Sequence, residues 1–475
     1  MSLDSFYYPK SIAIIGASNN IYKAGCQVAN NMIRLGFEGK VFFVNPKETE
    51  ILGQPVYKSL LDIPEPVELI EISIPAKGCV EIFEQAEKRG DVKAAIVMAS
   101  GFSETKIPEN IEMERKMLEI AKRAGIRVIG PNCVGVMNTE NHLDTTFAAD
   151  IAQRPGGMSV ISQSGSVGAS LLSFVCDQPV PMGFNKWGHV GNMSDVTTEE
   201  ILRYYKDDLS TEVIAMYMEG MTNARDFFET AKDVVKKKPM IVLKVGRSDI
   251  GAVAAASHTG SLAGSDNIFD GTFEQVGIIR ADTIEEMVDT SKAFSMAQMP
   301  KGNRIAILTE AGGPGVISMD VIGNSGGIAQ LAHFSEETKA KLREILPPMA
   351  LISHPDGYVD MTAGADGPQH ADALEAILRD ENVDAVLLFS VPPTFLVPNE
   401  IARVVCEKMP IARELGKPVY SCFMAGNWVR EACGMLENAG IPTFEMPQRA
   451  AKAMVNVISR LKFLQEQETG GLQNV

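Results

Sequence analysis

Ser11-Ile-Ala-Ile-Ile-Gly-Ala-Ser18 reads as a short buried strand that stops at a glycine turn, and the helical run that follows extends through Cys26 to Leu35. A strand that is apolar on both faces must be covered on both sides, as in a parallel sheet wrapped by helices. The alternation continues downstream. Lys40-Val-Phe-Phe-Val44 ends in Asn45-Pro46-Lys47, and Leu69-Ile-Glu-Ile-Ser-Ile74, Ala94-Ala-Ile-Val-Met98 and Arg127-Val-Ile129 supply three further strands. Helical stretches at 77–89 and 109–124 lie between them. The pattern predicts a doubly wound α/β sheet, and such sheets bind ligands at the loops that follow strand C-termini.

Two more alternations follow. One starts near Gly157 with Met158-Ser-Val-Ile161 and takes in Val213-Ile-Ala-Met-Tyr217 and Met240-Ile-Val-Leu243. The other starts at Arg304-Ile-Ala-Ile-Leu308 and takes in Ala385-Val-Leu-Leu-Phe389 and Pro418-Val-Tyr-Ser421. Pro and Gly cluster at 152–157 and 298–302, which places the joints there. The expectation is three doubly wound domains at 1–150, 151–299 and 300–465, with 466–475 as a frayed tail. A length of 475 residues suits several cores better than one.

A formal net charge of −16 argues against nucleic acid or an anionic membrane surface as the main partner. It leaves room for an anionic ligand held by helix N-termini and a few cations. The longest apolar runs are strand-length, too short to span a bilayer, and the N-terminus lacks the basic segment of a signal peptide. The seven cysteines are scattered without CxxC spacing, which argues against a zinc site or a disulfide framework and fits a reducing cytoplasm.

The turn from Gly16 to Gly25 lacks GxGxxG, and no acidic residue closes the second strand. That disfavours a nicotinamide dinucleotide. Ser18, Lys23, Lys47 and a helix N-terminus suit a more heavily phosphorylated nucleotide, with a ligand-free Rossmann turn as the other reading. Ser162-Gln163-Ser164-Gly165 collects hydroxyls, N–H groups and a dipole end for a phosphate-sized anion, or simply caps a helix. In Ala255-Ala256-Ser257-His258-Thr259-Gly260-Ser261-Leu262-Ala263-Gly264 no bulky side chain except Leu262 follows the histidine, which lets backbone donors approach the imidazole and any anion it carries. A capped helix terminus is again the alternative. Glu219, after the strand at 213–217, is expected at the same sheet edge as His258, where a carboxylate accepting the imidazole N–H would orient the ring.

Taken together these segments resemble the alpha subunit of NDP-forming acyl-CoA synthetases, in the succinyl-CoA synthetase superfamily. The resemblance covers essentially the whole chain. It rests most on Val44-Asn-Pro-Lys47, Gly130-Pro-Asn-Cys-Val-Gly135, Ile161-Ser-Gln-Ser-Gly165, Gly191-Asn192 with Asp195, and Ser257-His-Thr-Gly-Ser-Leu-Ala-Gly264, in that order. It implies an N-terminal Rossmann-like CoA-binding domain followed by two flavodoxin-like ligase domains. His258 looks like the histidine that the family phosphorylates transiently, and Glu219 like the glutamate that supports it. Ser162, Gln163, Ser164, Gly165 and Gly260 fall where the phosphoryl group is held. Gly16, Ala17, Ser18, Lys23, Pro46, Lys47, Ile74, Pro75 and Asn132 fall on the CoA side, and Gly191 and Asn192 on a substrate loop. Glu310-Ala-Gly-Gly-Pro-Gly315 is typical of the third domain, whereas Ser353–Thr362 follows the family's Asn-Pro-Val-Asp-Leu stretch only loosely.

Fused members of the family carry an ATP-grasp domain that is not read in this chain. The resemblance therefore implies a separate ATP-grasp beta subunit in an α2β2 assembly, with ATP or ADP and Mg²⁺ entering through that partner. The implied reaction interconverts acyl-CoA, NDP and phosphate with a carboxylic acid, CoA and NTP, through an acyl phosphate and phospho-His258. No arginine cluster near Gly191–Asp195 asks for a second carboxylate, which favours a monocarboxylic acid. The alternative is a CoA-binding or acyl-CoA-sensing protein on the same fold without phosphoryl transfer.

Overall fold

The computed structural model describes residues 3–148, 153–176, 182–221, 223–259 and 266–469, the side chains of 255–259 excepted. Three sheets organise them. In the first, seven strands run in the order Glu50–Ile51, Gln54–Tyr57, Lys40–Val44, Ser11–Ile15, Leu69–Ile72, Ala94–Val97, Arg127–Ile129. Ser11–Ile15 is central and parallel to both neighbours, so the chain winds to one side first and then crosses to the other. The crevice at this reversal, above Ile15 and Ile72, is where the fold opens a ligand site. Ala13, Ile70, Ala95 and Val97 face a core with Phe83, Met117 and Ile120 from the helices Cys79–Arg89 and Pro108–Ala124. Burial of each such large side chain stabilises by about 1.5–3 kcal/mol.

The second sheet has the order Ile279–Ala281, Met240–Lys244, Val213–Met218, Pro155–Ser162, Phe184–His189, Val136–Asn138, Leu143–Asp144. Val136–Asn138 joins it by pairing antiparallel with Phe184–His189. The segment after Arg127–Ile129, the last strand of the first sheet, thus passes directly into the second, and the two sheets share one compact unit, Met1–Cys176 with Met182–Arg280. The strand Phe184–His189 buries all six residues although it contains Asn185, Lys186 and His189. Lys186 is satisfied there by Asp208 at 2.9 Å and Glu140 at 3.0 Å.

Most of the other unit, Ala281–Val475, is built on the third sheet, ordered Leu351–Ile352, Tyr358–Asp360, Arg304–Thr309, Ala385–Ser390, Val419–Phe423, with Gln330–Leu331 beside Arg304–Thr309. One face packs Leu308, Val386 and Leu388 against Leu374, Ile377 and Ile401. The other packs Ile305, Leu387 and Tyr420 against Met454 and Ile458 of the long helix Pro447–Glu468. The helix Ile284–Met296 lies against that same long helix. All seven cysteines are free thiols. Among the described residues no helix is long and apolar enough to cross a membrane.

Candidate functional site

At the reversal of the first sheet, Gly16 turns the chain with φ +92°. A Cβ there would lie 2.7 Å from Ile74 Cγ2 and 2.8 Å from the Ser73 carbonyl oxygen. Gly25 is tighter, since a Cβ would sit 2.2 Å from the Gly16 oxygen. The two glycines let the helix Ala24–Leu35 begin hard against the turn. That helix has no side-chain cap, so its positive end is available to an anion. The Asn45 amide donates to the Ala17 carbonyl at 2.7 Å, and Asn45 Oδ1 accepts the Lys47 N–H at 2.9 Å, which pins the second strand's end to the first. Ala17 and Ser18 are buried, Ile74 is half-buried, and Lys23, Pro46, Lys47 and Pro75 are exposed. A preformed turn with lysines among its exposed residues suits a polyphosphate. Beneath it lies Glu71, fully buried, with Ser73 Oγ donating to one oxygen at 2.5 Å and the other oxygen without a partner. Burial pushes its carboxyl up to about 8.

The turn Gly130–Gly135 and the loop Gly191–Asp195 form one knot. Gly191 has φ +58°, and a Cβ on it would stand 2.2 Å from the Pro131 oxygen. Asn192 N–H donates to Pro131 O at 2.9 Å, and Ser194 N–H donates to Gly130 O at 3.3 Å. The Asn132 and Asn192 side chains meet at 3.4 Å. Asn192 also donates to Glu104 Oε2 at 2.7 Å. Burial opposes the Glu104 charge, but donors from Asn192, Gly101 and Phe102 outweigh it and hold the carboxyl below the usual range. Arg127 ties the knot to the next helix by ion pairs to Asp195 and Glu200, both at 2.9 Å.

In the second sheet the strand Pro155–Ser162 runs into the helix Gly165–Cys176. The Ser162 hydroxyl is wholly buried, donates to Ser164 O at 2.6 Å and accepts the Ser164 N–H at 3.2 Å. It therefore shapes the turn from inside, while Ser164 Oγ accepts the Val167 N–H at 3.4 Å at the helix start. Gln163 reaches across to the neighbouring strand end, where its Oε1 accepts the Glu219 N–H at 2.7 Å and the Gly220 N–H at 3.1 Å. Its amide donates to Gly220 O at 3.0 Å. Glu219 is 7% exposed, at the C-terminal edge as its sequence position predicts. Lys244, in register with Met218, ends the adjacent strand and carries its ammonium 4.5 Å above the Phe269 ring. Burial holds its pKa below the usual lysine value.

His258 falls in the last turn of the helix Asp249–Thr259, which follows the strand Met240–Lys244. Its side chain and Gly260 lie outside the described residues. The structure thus brings together Gly16 with Ile74, Asn132 with Asn192, and Gln163 with Glu219. Sequence reasoning missed Glu104, Lys244 and His189. His189 ends the strand Phe184–His189 beside Gly165, and a histidine two residues before Gly191-Asn192 was the available signal.

Comparison with known proteins agrees with this architecture. The chain matches the CoA binding domain family over residues 10–139, the succinyl-CoA ligase like flavodoxin domain over 155–294, and the Ligase-CoA domain over 305–462. It is 41% identical to the alpha subunit of ADP-forming acetate–CoA ligase II from Pyrococcus furiosus, over 97% of this chain and 98% of that one. It is 38% identical to ADP-forming acetate–CoA ligase I from Archaeoglobus fulgidus, covering 98% of this chain and 64% of that longer protein. Its structure superposes on an acetyl-coenzyme A synthetase 1 of Ca. Korarchaeum cryptofilum, solved with phosphate and ADP, with a TM-score of 0.89 at 32% identity over 100% of both chains. With all three domains in order and this similarity across nearly its full length, the chain belongs to the family of ADP-forming acetate–CoA ligase alpha subunits.

Proposed function

We propose that this chain is the CoA-binding, phosphohistidine-bearing subunit of an ADP-forming acyl-CoA synthetase, acting on a small monocarboxylic acid such as acetate. Phosphate attacks the acyl-CoA carbonyl, the thiolate leaves, and an acyl phosphate forms. The His258 imidazole then takes the phosphoryl group and releases the carboxylate. ADP accepts the group from phospho-His258, giving ATP and free histidine. Each step runs equally in reverse.

The Gly16–Gly25 turn with Lys23 and Lys47 would hold the CoA phosphates, and Ile74, Pro75 and Asn132 would line the path of its pantetheine arm. Gly191 and Asn192 would close over the acyl group. Ser164, Gly165 and Gly260 would offer backbone donors to the phosphoryl oxygens, with Ser162 and Gln163 shaping the turn. Glu219 would hold the imidazole and stabilise its positive charge. The nucleotide and Mg²⁺ would enter on an ATP-grasp beta subunit in an α2β2 enzyme of the cytoplasm. There the metal would neutralise phosphate charge during transfer.

The observation that carries this reading is the Gln163 bridge, which fixes the helix start at Gly165 and the backbone of Glu219 in one rigid piece. The test is reconstitution with an ATP-grasp partner and measurement of ATP formed from acetyl-CoA, ADP and phosphate. ATP formation that disappears in His258→Ala supports the reading. CoA binding without ATP formation in any reconstituted mixture would favour a sensing protein.

A further inference from the structure

His189 sits at the end of its strand, 6% exposed, among groups that belong to both halves of the proposed site. Its Nδ1 accepts the Val134 N–H at 2.8 Å, and its own backbone N–H donates to Gly135 O at 3.2 Å. The ring packs against Gly165, where a Cβ would stand 3.3 Å from His189 Cε1 and 2.5 Å from Val134 Cγ2. The Trp187 ring lies nearly parallel to it, 24° apart, with centres separated by 6.4 Å. An Nδ1 that accepts a hydrogen bond leaves the ring's proton on Nε2, so the neutral Nε2–H tautomer is the one that fits. Burial pushes the imidazole down to about 4, partly countered by its hydrogen bond to the Gln163 backbone. The ring therefore joins Val134, in the turn that holds Asn132, to the helix start at Gly165, two residues from Gln163, whose side chain holds Glu219.

We infer that His189 is a positioning residue that keeps the helix start Ser162–Gly165 in register with the turn Gly130–Gly135. The inference rests on the phosphohistidine reading above. Its role is to keep acyl and phosphoryl groups within reach of each other, a task in which small misplacements are costly. Its Nδ1 is taken by the Val134 N–H and the ring is buried, so His189 is not itself a phosphoryl acceptor.

The test uses the chain with its ATP-grasp partner and compares His189→Phe, which keeps the ring and removes both hydrogen bonds, with His189→Asn, whose Oδ1 can replace Nδ1. Three quantities are read: the phosphoryl adduct formed with Mg-ATP, kcat for acyl-CoA formation, and KM for CoA. The expected result is an adduct in all forms and a kcat about 10–100-fold lower in His189→Phe with KM for CoA within about twofold. His189→Asn is expected to recover most of that loss. Wild-type turnover in His189→Phe, or equal losses in both variants accompanied by equal falls in Tm, would overturn the inference. A wild-type chain with no adduct would remove the phosphohistidine reading itself, a distinct failure. Nitrogen-15 shifts of the wild-type imidazole at pH 7 decide the tautomer without any mutation. An Nε2–H ring supports the assignment, and a charged or Nδ1–H ring contradicts it.

Discussion

Gln163 Oε1 accepts the backbone N–H of Glu219 at 2.7 Å, across the gap between two adjacent strand ends of the second sheet. The contact fixes the start of Glu219 by a side chain from the helix-start turn, so the two proposed halves of the phosphoryl site cannot drift independently. Both residues sit at the carboxyl edge of a parallel sheet, where this fold class places its chemistry.

Removing that contact should slow turnover without loosening CoA. Gln163→Ala deletes three hydrogen bonds, all of them to Glu219 and Gly220. Leaving such groups unsatisfied costs about 1–3 kcal/mol, or roughly five- to 150-fold if it falls on the transition state. Steady-state kinetics should show the loss in kcat, with KM for CoA unchanged. A change confined to KM would contradict the placement.

The CoA-side turn can be probed by its glycines. In Gly25→Ala the new methyl would sit 2.2 Å from the Gly16 oxygen, so the helix must back away from the turn. Overpacking of this kind costs about 1–3 kcal/mol. Gly36→Ala is the control: φ is +73° but nothing lies within 4 Å of a Cβ. Urea unfolding should register both changes, whereas calorimetric CoA binding should weaken only in Gly25→Ala.

Glu71 makes stability depend on pH in a direction opposite to most carboxylates. Its carboxyl is held up to about 8 in the folded chain, against 4.5 for an unperturbed glutamate. Between those values the folded chain binds more protons than the unfolded one. Stability from this group is therefore full below about pH 4.5 and is lost as pH rises to about 8, by at most about 1.4 kcal/mol per unit. Glu71→Gln should flatten the slope of unfolding free energy over pH 5–8. An unchanged slope would show that Glu71 is ionised in the folded state.

The second unit carries its own buried polar cluster. His370 Nε2 lies 2.8 Å from Glu310 Oε2, Ser390 Oγ donates to Glu310 Oε1 at 2.7 Å, and His370 Nδ1 lies 2.7 Å from Asp366 O. His370→Leu leaves Glu310 without one buried hydrogen-bond partner and should cost about 1–3 kcal/mol in thermal or urea unfolding. Adding Glu310→Leu should restore part of that loss, because the unpartnered buried polar group is then gone too.

Much of this architecture was legible from residue patterns. Ser11–Ile15, Lys40–Val44 and Arg127–Ile129 are strands with the ends their apolar runs predict. The helix to Leu35 stops at Gly36, whose left-handed backbone closes it. What escaped were strands whose burial is polar or whose length is minimal. Phe184–His189 hides a lysine behind two carboxylates, and no hydropathy pattern reports such pairing. Glu50–Ile51 and Leu143–Asp144 are two residues each, below any periodic signal. At the site, Glu219 was placed by the strand before it, whereas Glu104 and His189 gain their roles from partners 88 and 55 residues away. Spacing placed His189 two residues before Gly191-Asn192 but carried no trace of those partners.

The phosphohistidine relay is read by intact mass of the chain after brief incubation with an ATP-grasp partner and Mg-ATP. An acid-labile phosphoryl adduct is expected in wild type, removed by ADP and absent from His258→Ala. An adduct that survives in His258→Ala, or no adduct in a mixture that still forms acyl-CoA, would contradict it.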